Sequence, residues 1–191
     1  HSWASRTPKP DHARRGLTQP EPRQRGLFAA AWTLGYVATF ARTGIATIAM
    51  GAPTGPLGII YRKSQHGQPW YDRLAGPAVF PAFHVVSGLT RGAGQKLVNV
   101  DSSDPAKVQC LAYKARRGTT LWMANMTSEN QSVKLSGATG AMFGTTLDED
   151  SFATATTRPP AVQKEWKAIK DTLPLKPPAV AIVARPDPNH T

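Results

Sequence analysis

The residues able to do chemistry are few and widely spaced. The single cysteine, Cys110, sits in Val108–Tyr113, where successive residues alternate between two faces. A thiol placed so reads as a small buried hydrophobe rather than a nucleophile. No Gly-x-Ser-x-Gly elbow is present, and no His/Cys cluster has metal-ligand spacing. The acidic run Asp148-Glu149-Asp150 has the charge to attract a cation, but it fits a solvated turn better. His84 lies in an apolar stretch and reads as a packing or helix-surface residue. Glycoside cleavage needs two carboxylates several ångström apart. The chain has 12 acidic residues, and none lies just after the one clear barrel-type strand, Ile45 to Met50. Glu129, Glu165 and Asp171 fall in the later, strand-rich portion. No catalytic residue, metal or cofactor is therefore assigned.

One loop stands out. The run Gly51-Ala-Pro-Thr-Gly-Pro-Leu-Gly58 follows that strand. Its spacing matches neither a dinucleotide fingerprint nor a P-loop. A loop at the C-terminal end of a buried parallel strand is where α/β enzymes place substrate contacts. The Thr54 hydroxyl and the Gly55 backbone amide are thus candidate substrate-binding groups. A purely structural turn is the competing reading.

The elements that must position this loop come in two textures. Residues 23–42 form the clearest helix, with an apolar stripe of Leu27, Ala30, Ala31, Leu34, Val37, Ala38 and Ala41. Phe28, Trp32 and Phe40 add bulk on neighbouring positions, which predicts a helix covered on most sides. Gly44 ends it, and Ile45–Met50 reads as a buried parallel strand. A second helix is expected around Phe80–Leu89, with Pro81 in its first turn and Phe80, Phe83, Val86 and Leu89 on one face. From Gln95 onward the chain changes to short β-type runs separated by turns: LVNV, VQCLAY, LWMANM, SVKL, AMFGTTL, FATATT and AVAIV. Such spacing signals an antiparallel sandwich. Arg116-Arg117-Gly118 reads as a hairpin turn, and Val162–Thr172 as a more helical stretch. The fold class is therefore α+β: a partial (β/α) barrel over residues 1–94, then an antiparallel β-sandwich over 95–191.

The formal net charge is +11. The positive residues beyond the first 26 are scattered, and no basic helix or aromatic RNA-binding signature gathers them, so no nucleic-acid partner is expected. A basic surface also suits an anionic sugar-acid ligand. No apolar run reaches the ~20 residues of a membrane span. A lone cysteine fits a reducing compartment, which predicts a cytoplasmic location.

The order of several motifs resembles a known family. Pro22-Arg-Gln-Arg-Gly-Leu-Phe-Ala-Ala-Ala-Trp-Thr-Leu-Gly-Tyr36 is followed by the Gly-Ile strand and by Gly51–Gly58. Then come Phe80-Pro81 with His84-Val85-Val86, Trp122-Met-Ala-Asn-Met-Thr127, and a closing Leu-Pro-Leu-x-Pro-x-Ala-Val. Together these resemble the C-terminal half of bacterial D-apionate lactonases and, more distantly, the ends of heparanase-type glycoside hydrolases. The resemblance implies a (β/α)₈ barrel followed by a β-sandwich, and hydrolysis of D-apionolactone to D-apionate. It implies a sugar lactone or carbohydrate as partner and a missing N-terminal barrel segment, because a whole barrel takes ~250 residues. The segment Ser5–Pro10 is similar to the family's Arg-x-Asn-Pro pattern with the Asn absent, which implies Arg6 as a substrate-binding residue. An alternative is a non-catalytic sandwich that binds carbohydrate or a partner chain.

Overall fold

The computed structural model of the chain describes residues 22–186 except 56, 65, 66, 117, 139 and 163. A 3-10 turn, Pro22–Arg25, leads into helix α1, Leu27–Ala41. A long irregular segment with one 3-10 turn, Tyr71–Arg73, then reaches helix α2, Ala82–Arg91. Strands follow: β1 Leu97–Val98, β2 Val108–Ala115, β3 Gly118–Asn125, β4 Gln131–Lys134 and β5 Met142–Leu147. Helices α3, Glu149–Thr157, and α4, Pro159–Val162, precede β6 Lys167–Ile169, β7 Thr172–Leu175 and β8 Val180–Pro186.

The strands form a six-stranded sheet in the order β1-β2-β3-β8-β5-β6 and a two-stranded sheet, β4-β7, with every pairing antiparallel. The β2/β3 hairpin closes with Ala115 opposite Gly118, at the turn expected there. Strict period-two alternation sends side chains to two cores. Leu111, Tyr113, Trp122, Ala124, Leu147 and Val180 point to the helices, where Ala30, Ala31, Leu34, Ala38 and Val85 meet them. Cys110, Met123, Met142, Ala181 and Val183 point the other way and pack on Leu175 and Val133 of the small sheet. Layers run helices, large sheet, small sheet, so the centre of the large sheet is buried on both faces while Leu97 and Phe143 nearer its edges stay exposed.

Small residues set the helix-to-sheet distance. A Cβ on Gly88 would lie 2.3 Å from the Trp122 ring, and one on Gly92 would lie 2.6 Å from the Tyr113 ring. Gly88 within α2 and Gly92 just past its end therefore lie directly on the two large rings of the sheet. Trp122 is 2% exposed as a result.

Four expectations need correction. Residues 45–50 are not a strand: none of them joins a ladder, and most are exposed. A strand exists only with hydrogen-bonding neighbours, and among the described residues no segment pairs with this one. Residues 149–157, expected as strand in their FATATT portion, form α3 instead. Its start is a capping box in which the Asp148 carboxylate accepts from the Ser151 amide at 3.0 Å, and the Ser151 hydroxyl accepts from the Asp148 amide at 2.8 Å. The acidic run is thus a helix cap and first turn. The stretch 162–172 is not helical beyond Val162; it carries β6 and the start of β7. Helix α1 is not covered on most sides. Phe28 (44% exposed), Trp32 (50%) and Tyr36 (37%) form an open outer row. In α2 the buried residues are Ala82, His84 and Val85, while Phe83, Val86 and Leu89 are half-buried.

Candidate substrate-binding face

The loop after residue 50 is shaped by its glycines. Gly51 has φ +108°, and a Cβ there would fall 2.7 Å from the Leu57 carbonyl oxygen. Gly58 leaves only 2.6 Å to the Thr54 backbone. The turn therefore closes on itself: the Gly58 amide donates to Gly55 O at 3.0 Å, and the Ile60 amide donates to Pro53 O at 2.9 Å. Ala52 and Gly58 form an isolated parallel bridge. Thr54 and Gly55 sit at the exposed tip, and space around Gly55 is open, with φ +95°. The two positions read from sequence are thus solvent-facing and adjacent. Arg6 lies outside the described residues.

Two neighbouring residues before α1 tie this loop to the next segment. The Gln24 side chain donates to Gly58 O at 3.4 Å, and the Arg25 guanidinium donates to Gly67 O at 3.3 Å. The Tyr71 hydroxyl donates to Arg25 O. Residues 24–25, 51–60 and 61–73 are thereby gathered at the N-terminal end of α1. Beneath them lies an aromatic cluster in which Tyr71 and Phe80 meet edge-on at 4.8 Å and Tyr61 stacks on Tyr71 at 5.6 Å. Trp70 and Phe152 meet at 5.1 Å, which anchors the segment to α3.

Asp72 is the polar centre of this face. Its carboxylate accepts from the Gln68 amide and from the Tyr61 hydroxyl at 2.8 Å. The Gln68 amide, and then the Tyr61 hydroxyl, hold the carboxyl below its usual range, so it is ionised at neutral pH. The same bond pushes the Tyr61 hydroxyl up, and burial pushes Tyr71 up, so both stay protonated donors. Partial burial lowers the Arg25 guanidinium from its ordinary value, against the pull of Asp72. Its ordinary value lies so high that it remains charged. From Pro22 to Val100, Asp72 is the only carboxylate, against Arg23, Arg25, Arg42, Arg62, Lys63, Arg73, Arg91 and Lys96.

Sequence reasoning found the glycine loop but missed Arg25, Tyr61, Gln68 and Asp72. A signal was available: one acid alone in a run of some eighty residues that also concentrates Tyr61, Trp70, Tyr71 and Phe80. Chemically, this face offers guanidinium donors, phenol donors and one ionised acceptor, a set suited to hydroxyls and carboxylates. Among the described residues it does not offer the paired carboxylates of glycoside cleavage.

Comparison with known proteins places these features. Residues 2–94 match the TIM barrel domain of D-apionate lactonase, and residues 105–183 match its C-terminal immunoglobulin-like domain. The chain is 29% identical over 134 residues to the D-apionate lactonase of Brucella anthropi, covering 70% of this chain and 20% of that protein. It therefore spans about a fifth of the length of this curated relative. Among solved structures, a GH30 endoxylanase from Clostridium papyrosolvens superposes with a TM-score of 0.48 at 14% identity, covering 84% of this chain and 39% of that one. A GH86 protein solved with neoagarooctaose gives 0.46 at 11% identity, covering 80% and 25%. With both domain matches in the family's own order, the chain belongs to the D-apionate lactonase family and comprises part of its TIM barrel domain followed by its immunoglobulin-like domain.

Proposed function

We propose that this chain is part of a carbohydrate-active hydrolase that opens D-apionolactone to D-apionate. In this reading it supplies one loop cluster of the barrel's substrate-facing end and the domain that braces it. The observation that carries the reading is the pair of family matches in barrel-then-immunoglobulin-like order. The basic face supports it. Lactone hydrolysis adds water at the carbonyl carbon, breaks the ring C–O bond and leaves a carboxylate and a hydroxyl. Guanidinium groups at the binding face stabilise that growing negative charge. Thr54 and the Gly55 amide bind substrate hydroxyls or the lactone carbonyl, and Asp72 accepts from further hydroxyls. The base that activates water belongs to barrel segments this chain does not contain.

The test compares residues 1–191 with a longer protein that carries this sequence after a complete barrel. Both are assayed by pH-stat on D-apionolactone and by release of aryl leaving groups from glycosides. The expected result is lactone opening by the longer protein only, with Gly55→Val lowering kcat/KM while the sandwich stays folded. Aryl glycoside turnover in place of lactone opening would overturn the reaction. Lactone turnover by residues 1–191 alone, lost on mutation within them, would overturn the division of labour.

A further inference from the structure

The short turn that carries Asp72 also carries Trp70, and the two side chains are set around a fixed one. Trp70 has helical backbone, φ −82° and ψ −46°, and leads directly into the 3-10 turn Tyr71–Arg73. Successive side chains of such a turn lie about 120° apart. Tyr71 points inward: it is buried, and its hydroxyl donates to Arg25 O. Trp70 and Asp72 therefore emerge on either side of it, ~4 Å apart along the turn axis. Both reach solvent, Trp70 with 39% of its surface exposed.

Both groups are also held in place. The indole meets the Tyr71 ring edge-on at 5.0 Å and the Phe152 ring at 5.1 Å, and the rest of its surface is open. Asp72 and Gln68 bond reciprocally. The Gln68 amide donates to Oδ2 of Asp72, and the Asp72 amide donates to Gln68 O at 2.8 Å. Gln68 is itself buried, with its side chain donating to Arg62 O at 3.1 Å. The Tyr61 hydroxyl donates to Oδ1 of Asp72 at 2.8 Å. An ionised carboxylate has about four acceptor sites over its two oxygens. One bond on each oxygen leaves further acceptor capacity on each, facing solvent. A fixed aromatic surface thus stands beside two adjacent, pre-oriented acceptors.

That pairing fits one kind of ligand. An aromatic surface takes up the C–H face of a sugar ring, and two adjacent acceptors suit two adjacent hydroxyls. An ammonium group also suits a carboxylate beside an indole. Here, however, Asp72 is the only carboxylate from Pro22 to Val100, and the basic residues of that stretch repel a cation. A neutral polyhydroxylated ring meets no such repulsion. We propose that Trp70 and Asp72 form the subsite that selects a sugar lactone by its vicinal hydroxyls, with the ring stacked on the indole and two adjacent hydroxyls donating to the Asp72 carboxylate. This subsite rests on the lactone reading and makes the two residues specificity-determining. They orient the ring and take no part in bond breaking.

The test titrates residues 1–191 with D-erythronolactone, which carries two vicinal hydroxyls, and with γ-butyrolactone, the same ring without them. Amide and indole N–H chemical shifts report binding. D-erythronolactone is expected to shift the Trp70 indole and the amides of residues 61–73, and to bind about tenfold or more tighter than γ-butyrolactone. Asp72→Asn should abolish that preference, leaving the two lactones bound alike. Trp70→Ala should weaken both lactones together, and Trp70→Phe, which keeps a ring against Phe152, should recover most of the loss. Melting temperatures will show that each variant is folded. Equal binding of the two lactones by the parent, shifts confined to other residues, or a preference undiminished in Asp72→Asn would each overturn the subsite. The reaction is read separately, by pH-stat on the longer protein. Absence of lactone opening there would overturn the reaction, while the titration of residues 1–191 still decides the subsite.

Discussion

His84 shows how a single residue joins two elements. It is 5% exposed, and its Nε2 lies 2.9 Å from the Ala155 carbonyl oxygen of α3. A neutral ring donating Nε2–H to that carbonyl satisfies both groups. Burial pushes its pKa below the ordinary 6.5, Arg91 adds to the effect, and the carbonyl opposes it. The unfolded chain therefore takes up a proton at higher pH than the folded one. Stability is complete above about 6.5 and falls as pH drops through the folded-state value. Thermal melting from pH 7.5 to 5 should show this loss. His84→Gln keeps a donor without a titrating ring and should flatten the slope. An identical slope in the variant would assign the loss to other groups. Sequence alone left His84 as a packing or helix-surface residue, and the fold buries it. The partner was not legible, because Ala155 lies 71 positions away on a helix that had been read as strand.

At the scale of elements, the sheet was legible and the exceptions have identifiable causes. Strands β2, β3 and β8 send successive side chains to two cores because the centre of the sheet is buried on both faces, so each side chain has one place to go. Helix α3 was not legible from its Phe-Ala-Thr-Ala-Thr-Thr composition, which favours strands. The deciding residues lie at its start, where Asp148 and Ser151 cap each other. Asp148→Ala should therefore cost about 0.5–2 kcal/mol, measured by denaturant unfolding. Asp148→Asn, which retains an acceptor, should recover most of it; equal loss in both variants would point to charge rather than the cap. The segment 45–50 failed for the opposite reason. Its sequence is strand-like, but pairing is a property of two segments, and the described residues hold no second one. The glycine loop beyond it was legible because Gly51 and Gly58 are demanded locally by a tight turn. The tie between Arg25 and Gly67 was not, because those residues lie 42 positions apart.

For the molecule as a whole, an open apolar row runs along α1 among the described residues. Trp32 stacks on Tyr36 at 5.3 Å, Tyr36 meets Phe40 at 4.6 Å, and the Arg23 guanidinium lies 5.7 Å over Phe28. Ile45 and Leu57 add exposed apolar area. Contiguous apolar surface drives association. Residues 1–191 should self-associate with concentration in sedimentation velocity. The variant Trp32→Glu/Tyr36→Lys places an i,i+4 ion pair on the exposed helix face and should shift the chain to monomer. A parent chain that stays monomeric at every concentration would contradict this. No helix among the described residues is long and apolar enough to cross a membrane.

The core shared by Leu34, Val85, Trp122 and Val180 has a consequence for how such proteins diversify. Immunoglobulin-like domains are commonly portable, cut from one protein and spliced into another at a linker. Here the helices that precede the sheet supply one wall of its interior, and α2 fits the Trp122 and Tyr113 rings only through Gly88 and Gly92. A recombination event near residue 95 would leave those rings bare in one product and strip two helices of their floor in the other. Exchange between relatives should therefore succeed only when the crossover falls upstream of α1, so that helices and sheet are inherited together.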